Sequence, residues 1–234
     1  MEIIKFLIIY SFLTMSIIGY GFIFSKYLTK YNKTNLSLGY VGLFGIFFLI
    51  FISYLSNLIF AHQNIHNLII HLIFIFSFFY FFRKKNYKKN LRYFYLAYLI
   101  SLFSIFYFKS HDDFSYYHLS FIENLTRNKI EFGLGHFDIA FNHVSSIFYF
   151  HSLFKTIYTS HFFYQIGQQS IVIFVNAILF ENIFNQKKDY RIDISFYLSL
   201  FCIFFINIFF YRLAEHGTDR SAQILFFLCI IIII

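Results

Sequence analysis

Six stretches of this chain are apolar for most of a membrane's thickness, and the only cations inside them, Lys5 and Arg92, sit at the edges. Crossing about 30 Å of hydrocarbon at 1.5 Å per residue takes roughly 20 apolar residues in a helix. Ile3 to Phe24, Leu38 to Phe60, Leu68 to Phe82 and Leu91 to Phe108 come first, and Ile166 to Phe184 and Ile194 to Tyr211 follow a long polar stretch. Composition agrees, because 59% of the chain is hydrophobic and 13% charged, whereas a soluble domain carries about 25% charged residues. A soluble enzyme is excluded on these grounds. The expected fold is all-α, a multi-pass transmembrane helix bundle whose main partner is the lipid bilayer.

The cations set the orientation. Lys26, Lys30 and Lys33 follow the first stretch, and Arg83, Lys84, Lys85, Lys88, Lys89 and Arg92 follow the third; positive loops stay on the cytoplasmic side. Alternation then places the amino terminus, the His62 to Asn67 turn and residues 109–165 on the outer side. The net charge of +8 sits in these short clusters between apolar runs, so it reads as topology and not as a nucleic-acid surface. Met1 to Phe24 is longer than a signal-peptide core and is read as a retained span.

The run Val144 to Tyr158 would cover only about 22 Å as a helix. It is expected as a re-entrant or interfacial helix, which also keeps Lys187, Lys188 and Arg191 cytoplasmic and puts 212–223 on the outer side. After Ser221 just 13 residues remain, a helix of about 20 Å, so the seventh span is expected to be cut short and the chain to be a fragment. Cys202 and Cys229 lie in apolar runs without metal-ligand spacing and imply no disulfide framework.

Chemistry is expected where ionisable groups crowd a membrane mouth. The segment from Lys109 to Ile130 is the densest such place, with Asp112 and Asp113 adjacent at its head. Consecutive carboxylates point different ways on a regular backbone, so one can face a cavity while the other caps a helix or binds a cation. His118, Phe121 and Ile122 follow at helical spacing, predicting a helix from about Phe114 that lies on the membrane with its apolar face down. The plain alternative is that Asp112 is an N-cap and Asp113 a solvated loop residue.

The pattern Asp112-Asp113-x-x-x-Tyr117-His118-Leu119-x-Phe121-Ile122-Glu123 resembles the first outer loop of the GT-C superfamily of polytopic membrane glycosyltransferases and their bacterial relatives. The resemblance extends over Gly133-Leu134-Gly135-His136-Phe137-Asp138, the Phe141 to Phe148 run with Asn142 and His143, and Thr218-Asp219-Arg220-Ser221-Ala222-Gln223. It implies a core over 91–234 with residues 1–90 as a three-span amino-terminal addition. It further implies transfer of a sugar from a polyprenyl-phosphate donor to a glycan or lipid acceptor of the cell envelope, on the periplasmic side of a bacterial inner membrane. Asp112 or Asp113 would be the catalytic base. Asp219 would be a second acidic group across the cavity, or else a partner for Arg220 or an N-cap of the helix from Ser221, and Arg212 and Arg220 would meet the leaving lipid phosphate or else anchor lipid headgroups at the interface. His118, His136, Asp138 and His143 would line the site. Some members use a divalent metal and others none, so no cofactor is fixed.

Two further classes fit the same residues. A non-catalytic polytopic protein, either a transporter or an envelope-assembly partner, is one, and a surface-polysaccharide polymerase is the other. A transporter places charged groups in mid-span, and Glu181 alone approaches that. His62, His66 and His71 offer a loose metal-ligand spacing without a carboxylate or thiolate beside it. Asn57, Asn176 and Asn207, inside spans, are expected to hydrogen-bond between helices. Gly133 and Gly135 are expected in a tight turn.

Overall fold

The structure is a computed structural model and describes residues 2–28, 36–84, 88–106, 112–143, 145–186, 193–209 and 219–233. Among them there is no strand. The sequence has no proline, so nothing interrupts the i to i−4 ladder inside the apolar runs. Those runs become α1 (Glu2–Leu28), α2 (Leu38–Ile59), α3 (Asn64–Lys84), α4 (Lys88–Phe106), α7 (Ile166–Gln186), α8 (Ile194–Phe209) and α9 (Asp219–Ile233). Two short helices, α5 (Leu119–Arg127) and α6 (Ser146–Ser152), lie in the long polar stretch between α4 and α7.

Four of these helices are long and apolar enough to cross a membrane: α1, α2, α3 and α7. Apolar portions of α4 and α8, Leu91–Phe103 and Ile194–Phe209, are shorter. Helix α7 forms the centre, packed against α2, α4, α8 and α9, while α1 packs on α2 and α3. Almost every residue of α7 from Ile166 to Phe180 is buried. Helix α3 is its opposite. Ile65, Ile69, Ile73, Phe76, Phe79 and Tyr80 are all exposed on it, an apolar face far too continuous for water and suited to lipid.

Close helix approach is bought with small residues. Gly21 of α1 faces the Val41 carbonyl on α2, and Gly45 of α2 faces the Ile17 carbonyl on α1, so a Cβ at either would collide with backbone. Farther along the bundle, Asn176 of α7 and Asn207 of α8 exchange amide hydrogen bonds of 3.0 and 3.2 Å. This is the interhelical pairing their positions predict.

The two ends of the bundle differ. At one end stand Lys26, whose ammonium lies 5.9 Å from the Phe81 ring centre, together with Arg83 and Arg92. At the other, the start of α1 meets the start of α7 through Phe6 against Phe162 and Phe163. The α2–α3 turn joins them there and is covered by residues 112–165, which form a roof. Two expectations for the roof are corrected. The apolar face of α5, made by Phe121, Ile122 and Leu125, is buried in the protein and not laid on a membrane; Phe121 packs on Phe148 and Tyr149 of α6. The helix expected over Val144 to Tyr158 shrinks to the 7 residues of α6 and is itself buried, because its aromatic residues fill the space between α5 and α7. Turns then carry the chain to a 3-10 turn, His161–Gln165, which runs directly into α7.

Candidate functional site

Asp112 and Asp113 begin the roof, and the five residues that follow, Phe114–His118, wind as a wider π-helical turn before α5 continues the helix. Such a turn inserts a residue into the helical register, a device found disproportionately at functional sites. Asp112 is exposed and Asp113 half-buried. Asp113 occupies the N-cap position of the π turn, yet its side chain makes no capping hydrogen bond there. The plain alternative made Asp112 the N-cap and Asp113 a solvated loop residue; here Asp113 holds the N-cap position and is half-buried.

Tyr117 links this pair to the other acidic candidate. Burial first, and then the negative charges of Asp113 and Asp219, push its hydroxyl above the ordinary range. Two carboxylates from opposite ends of the site thus act on one phenol. Asp219 is the exposed first residue of α9, with Arg220 half-buried beside it. Two residues farther along α9, Ser221 joins Ser145 and Ser146 at a cleft of about 170 Å³ walled by Ile46, Ile50 and Ile171. The cleft has hydroxyls on its rim and hydrocarbon on its walls.

The remaining expected site residues are spread around the roof. His118 is buried with its ring 4.3 Å from that of Tyr117 and 4.8 Å from that of Phe148, a packing position directly under the tyrosine. His136 is exposed and lines a separate hollow of about 330 Å³ with Gly133, Gly135 and Asn142. Gly133 has φ of 84°, the left-handed turn its sequence predicts. Asp138 holds the next turn by accepting a 2.9 Å hydrogen bond from the Ala140 amide. His143 closes the 3-10 turn Ile139–His143, but its side chain lies outside the described residues, as do Lys109 and Arg212.

The histidine cluster of the α2–α3 turn is a lock. His62 is fully buried, with Nδ1 2.6 Å from Ser152 Oγ and Nε2 3.0 Å from Ser56 Oγ. Burial above all, with the neighbouring His66, lowers its pKa to about 3 and keeps it neutral. His71 lies 2.9 Å from Ser16 Oγ and 3.1 Å from the Leu153 carbonyl. Asn67 donates to the carbonyls of His62, Ser152 and Lys155 at 2.7 to 2.8 Å. Among the described residues no three His, Cys, Asp or Glu side chains gather at metal-binding range.

A second part of the lock escaped sequence reasoning. Glu123 of α5 accepts hydrogen bonds from Lys155 and, at 2.7 Å, from the Tyr164 hydroxyl. Burial pulls its pKa upward, but the bonds from Lys155 and Tyr164 and the charges of Lys155 and Arg127 outweigh it and hold the carboxyl below its usual range. The available signal was Lys155 itself, a lone cation inside an apolar run, which implies a buried partner without naming it. Beneath this lock the start of α7 buries Gln165 and Gln168, and neither end of the Gln165 amide has a hydrogen-bond partner among the described residues.

No protein-family model, curated protein or solved structure matches the chain.

Proposed function

We propose that this chain is a polytopic membrane protein of GT-C type that transfers a sugar from a polyprenyl-phosphate donor to an envelope glycan or lipid, with Asp113 as the base. What supports this reading is the placement of Asp113 at the head of the π-helical turn, half-buried and making no capping hydrogen bond there, with the charges of Asp113 and Asp219 both raising the Tyr117 hydroxyl. The basic bundle end is then cytoplasmic and the roof periplasmic in a bacterial inner membrane. Asp113 accepts the proton of the acceptor hydroxyl while that oxygen bonds to the anomeric carbon. The bond from the anomeric carbon to the phosphate oxygen breaks, and polyprenyl phosphate leaves with the electron pair. Asp219 supports the positive charge that develops on the sugar ring. Arg220, with Arg212, meets the departing phosphate, and His118 positions Tyr117 from below. His136, Asp138 and His143 bind the acceptor side, and a divalent cation at the carboxylates is compatible with this scheme.

The test is to exchange Asp112, Asp113 and Asp219 singly for Asn in cells and to measure envelope glycans and lipid-linked sugar pools. Asp113→Asn and Asp219→Asn are expected to accumulate the lipid-linked donor, and Asp112→Asn, whose charge is not among those raising the Tyr117 hydroxyl, to resemble the parent. A parental profile in Asp113→Asn overturns the assignment.

A further inference from the structure

Away from the acidic mouth, two hollows adjoin on the flank of the bundle. The upper one, about 440 Å³, is bordered by Arg127, Lys155, Thr126 and the first residues of α3, Asn64 and Ile65. The lower one, about 580 Å³, runs between α1 and α3 along Ile8, Phe12, Leu68 and Leu72, with Lys5 at its edge. No residue lines both, but the same two segments border each of them. On α3, Ile65 borders the upper hollow while Leu68 and Leu72, three and seven residues on and hence on the same face, border the lower. In the turn after α6, Lys155 and Ile157 line the upper hollow, and the alternate residues Thr156 and Tyr158 line the lower.

The upper hollow favours an anion. Two cations stand there against one carboxylate: Lys155, held by Glu123 and 3.2 Å from Thr126 Oγ1, and Arg127, 3.8 Å from Glu123 with its side chain 75% exposed. The first turn of α3 adds the positive end of a 21-residue helix that carries no acidic residue there. The lower hollow is almost wholly hydrocarbon, and Ile8 and Leu72 leave it open to the outside of the bundle. A cationic head site next to an apolar channel, bordered by neighbouring residues of the same two segments, has the chemistry of one amphiphile.

We propose that the two hollows form a single site for an anionic phospholipid of the surrounding bilayer, its phosphate on Arg127 and Lys155 and one acyl chain between α1 and α3. The proposal rests on the membrane placement of the chain and not on sugar transfer.

The test uses the full chain, extracted and examined by native mass spectrometry after incubation with phosphatidylglycerol, phosphatidylcholine or diacylglycerol of identical chains, or with glycerol phosphate. Phosphatidylglycerol is expected to be retained about tenfold better than the other three. Arg127→Gln should lose five- to tenfold of that retention, about the worth of one net hydrogen bond, and Leu72→Trp should lose a similar factor by filling the channel. Both side chains face outward, so both variants should fold, as circular dichroism will show; Lys5→Gln replaces either one that does not. Equal retention of phosphatidylglycerol and phosphatidylcholine, or undiminished retention in the variants, overturns the site. Glycerol phosphate binding as well as the lipid overturns the channel's part. Carbonate extraction of the chain from vesicles of phosphatidylglycerol and phosphatidylcholine is run alongside: release into the supernatant overturns the membrane placement itself, whereas a membrane-held chain without lipid preference defeats the lipid site alone.

Discussion

The two ends of the α5 roof helix carry similar residues to opposite purposes. At its carboxyl end Glu123 is met by Lys155, Tyr164 and Arg127, and beyond them His62 and Asn67 spend their polar atoms on neighbouring serines and carbonyls. At its amino end Asp112 is exposed, and Asp113 stands at an N-cap position without capping. A buried polar group surrounded by protein partners holds the fold, because removing any partner strands the others. A carboxylate at the start of the roof whose charge is felt at a neighbouring phenol sits in different surroundings. Composition does not separate these cases; the surroundings do.

Exchanging one residue from each end tests that contrast most severely. On the proposed sugar transfer, Asp113→Asn should cut transfer by at least about a hundredfold, the usual contribution of a general base, with a smaller fall in the midpoint of thermal unfolding than Asn67→Ala. Asn67→Ala should do the reverse. It removes an amide whose two N–H groups serve the carbonyls of His62, Ser152 and Lys155, and at about 1 kcal/mol for each net bond it should lower stability by roughly 2 kcal/mol, read as a reduced midpoint of thermal unfolding. If Asp113→Asn destabilised the fold as much as Asn67→Ala, the mouth would be structural and the contrast would fail.

Acid sharpens the comparison. His62 is neutral in the folded chain, with its pKa lowered from 6.5 to about 3 by burial, whereas in the unfolded chain it titrates normally. Its contribution is therefore complete above pH 6.5. As pH falls from 6.5 toward 3 the unfolded state takes up a proton that the folded state refuses, and stability drops by up to about 1.4 kcal/mol per pH unit. Glu123, depressed below 4.5, adds its own loss only at lower pH. Unfolding midpoints between pH 6.5 and 5 thus separate the buried histidines from Glu123, and His62→Gln should reduce the slope there. An unchanged slope would place the titrating group elsewhere.

The helices were legible because hydrocarbon thickness fixes their length: α7 begins at Ile166 and α2 at Leu38, where the apolar runs begin. The roof was less so. Its aromatic residues looked suited to a lipid surface, but Phe121 and Phe148 use the same apolarity to pack on one another, and a one-dimensional pattern does not tell lipid from protein. The lock joins Asn67 to Ser152 and Glu123 to Lys155, pairings that only the folded chain brings together. At the mouth, the density of acids drew attention to Asp112 and Asp113 without choosing between them. Burial distinguishes them, Asp112 exposed and Asp113 half-buried, and Tyr117, unremarked in the sequence except within a motif, is where the charges of Asp113 and Asp219 are both felt.

The smallest expected effect lies inside the bundle, where no roof is involved. Asn176 and Asn207 form a reciprocal amide pair between α7 and α8, and Asn207 also donates to the Ile203 carbonyl at 2.8 Å. In a membrane the unfolded reference state finds hydrogen-bond partners too, so such pairs contribute only about 0.6 kcal/mol on average. Asn207→Leu alone leaves Asn176, which is fully buried, without its partner and should cost more than the paired change. The double variant Asn176→Leu/Asn207→Leu should recover part of that loss, because two apolar residues leave no stranded amide. A double-mutant cycle on unfolding in detergent measures the coupling. A coupling of about 0.6 kcal/mol fits a helix–helix contact made in lipid, and a value several times larger would mean that this interface carries the same concentrated polar dependence as the lock beneath the roof.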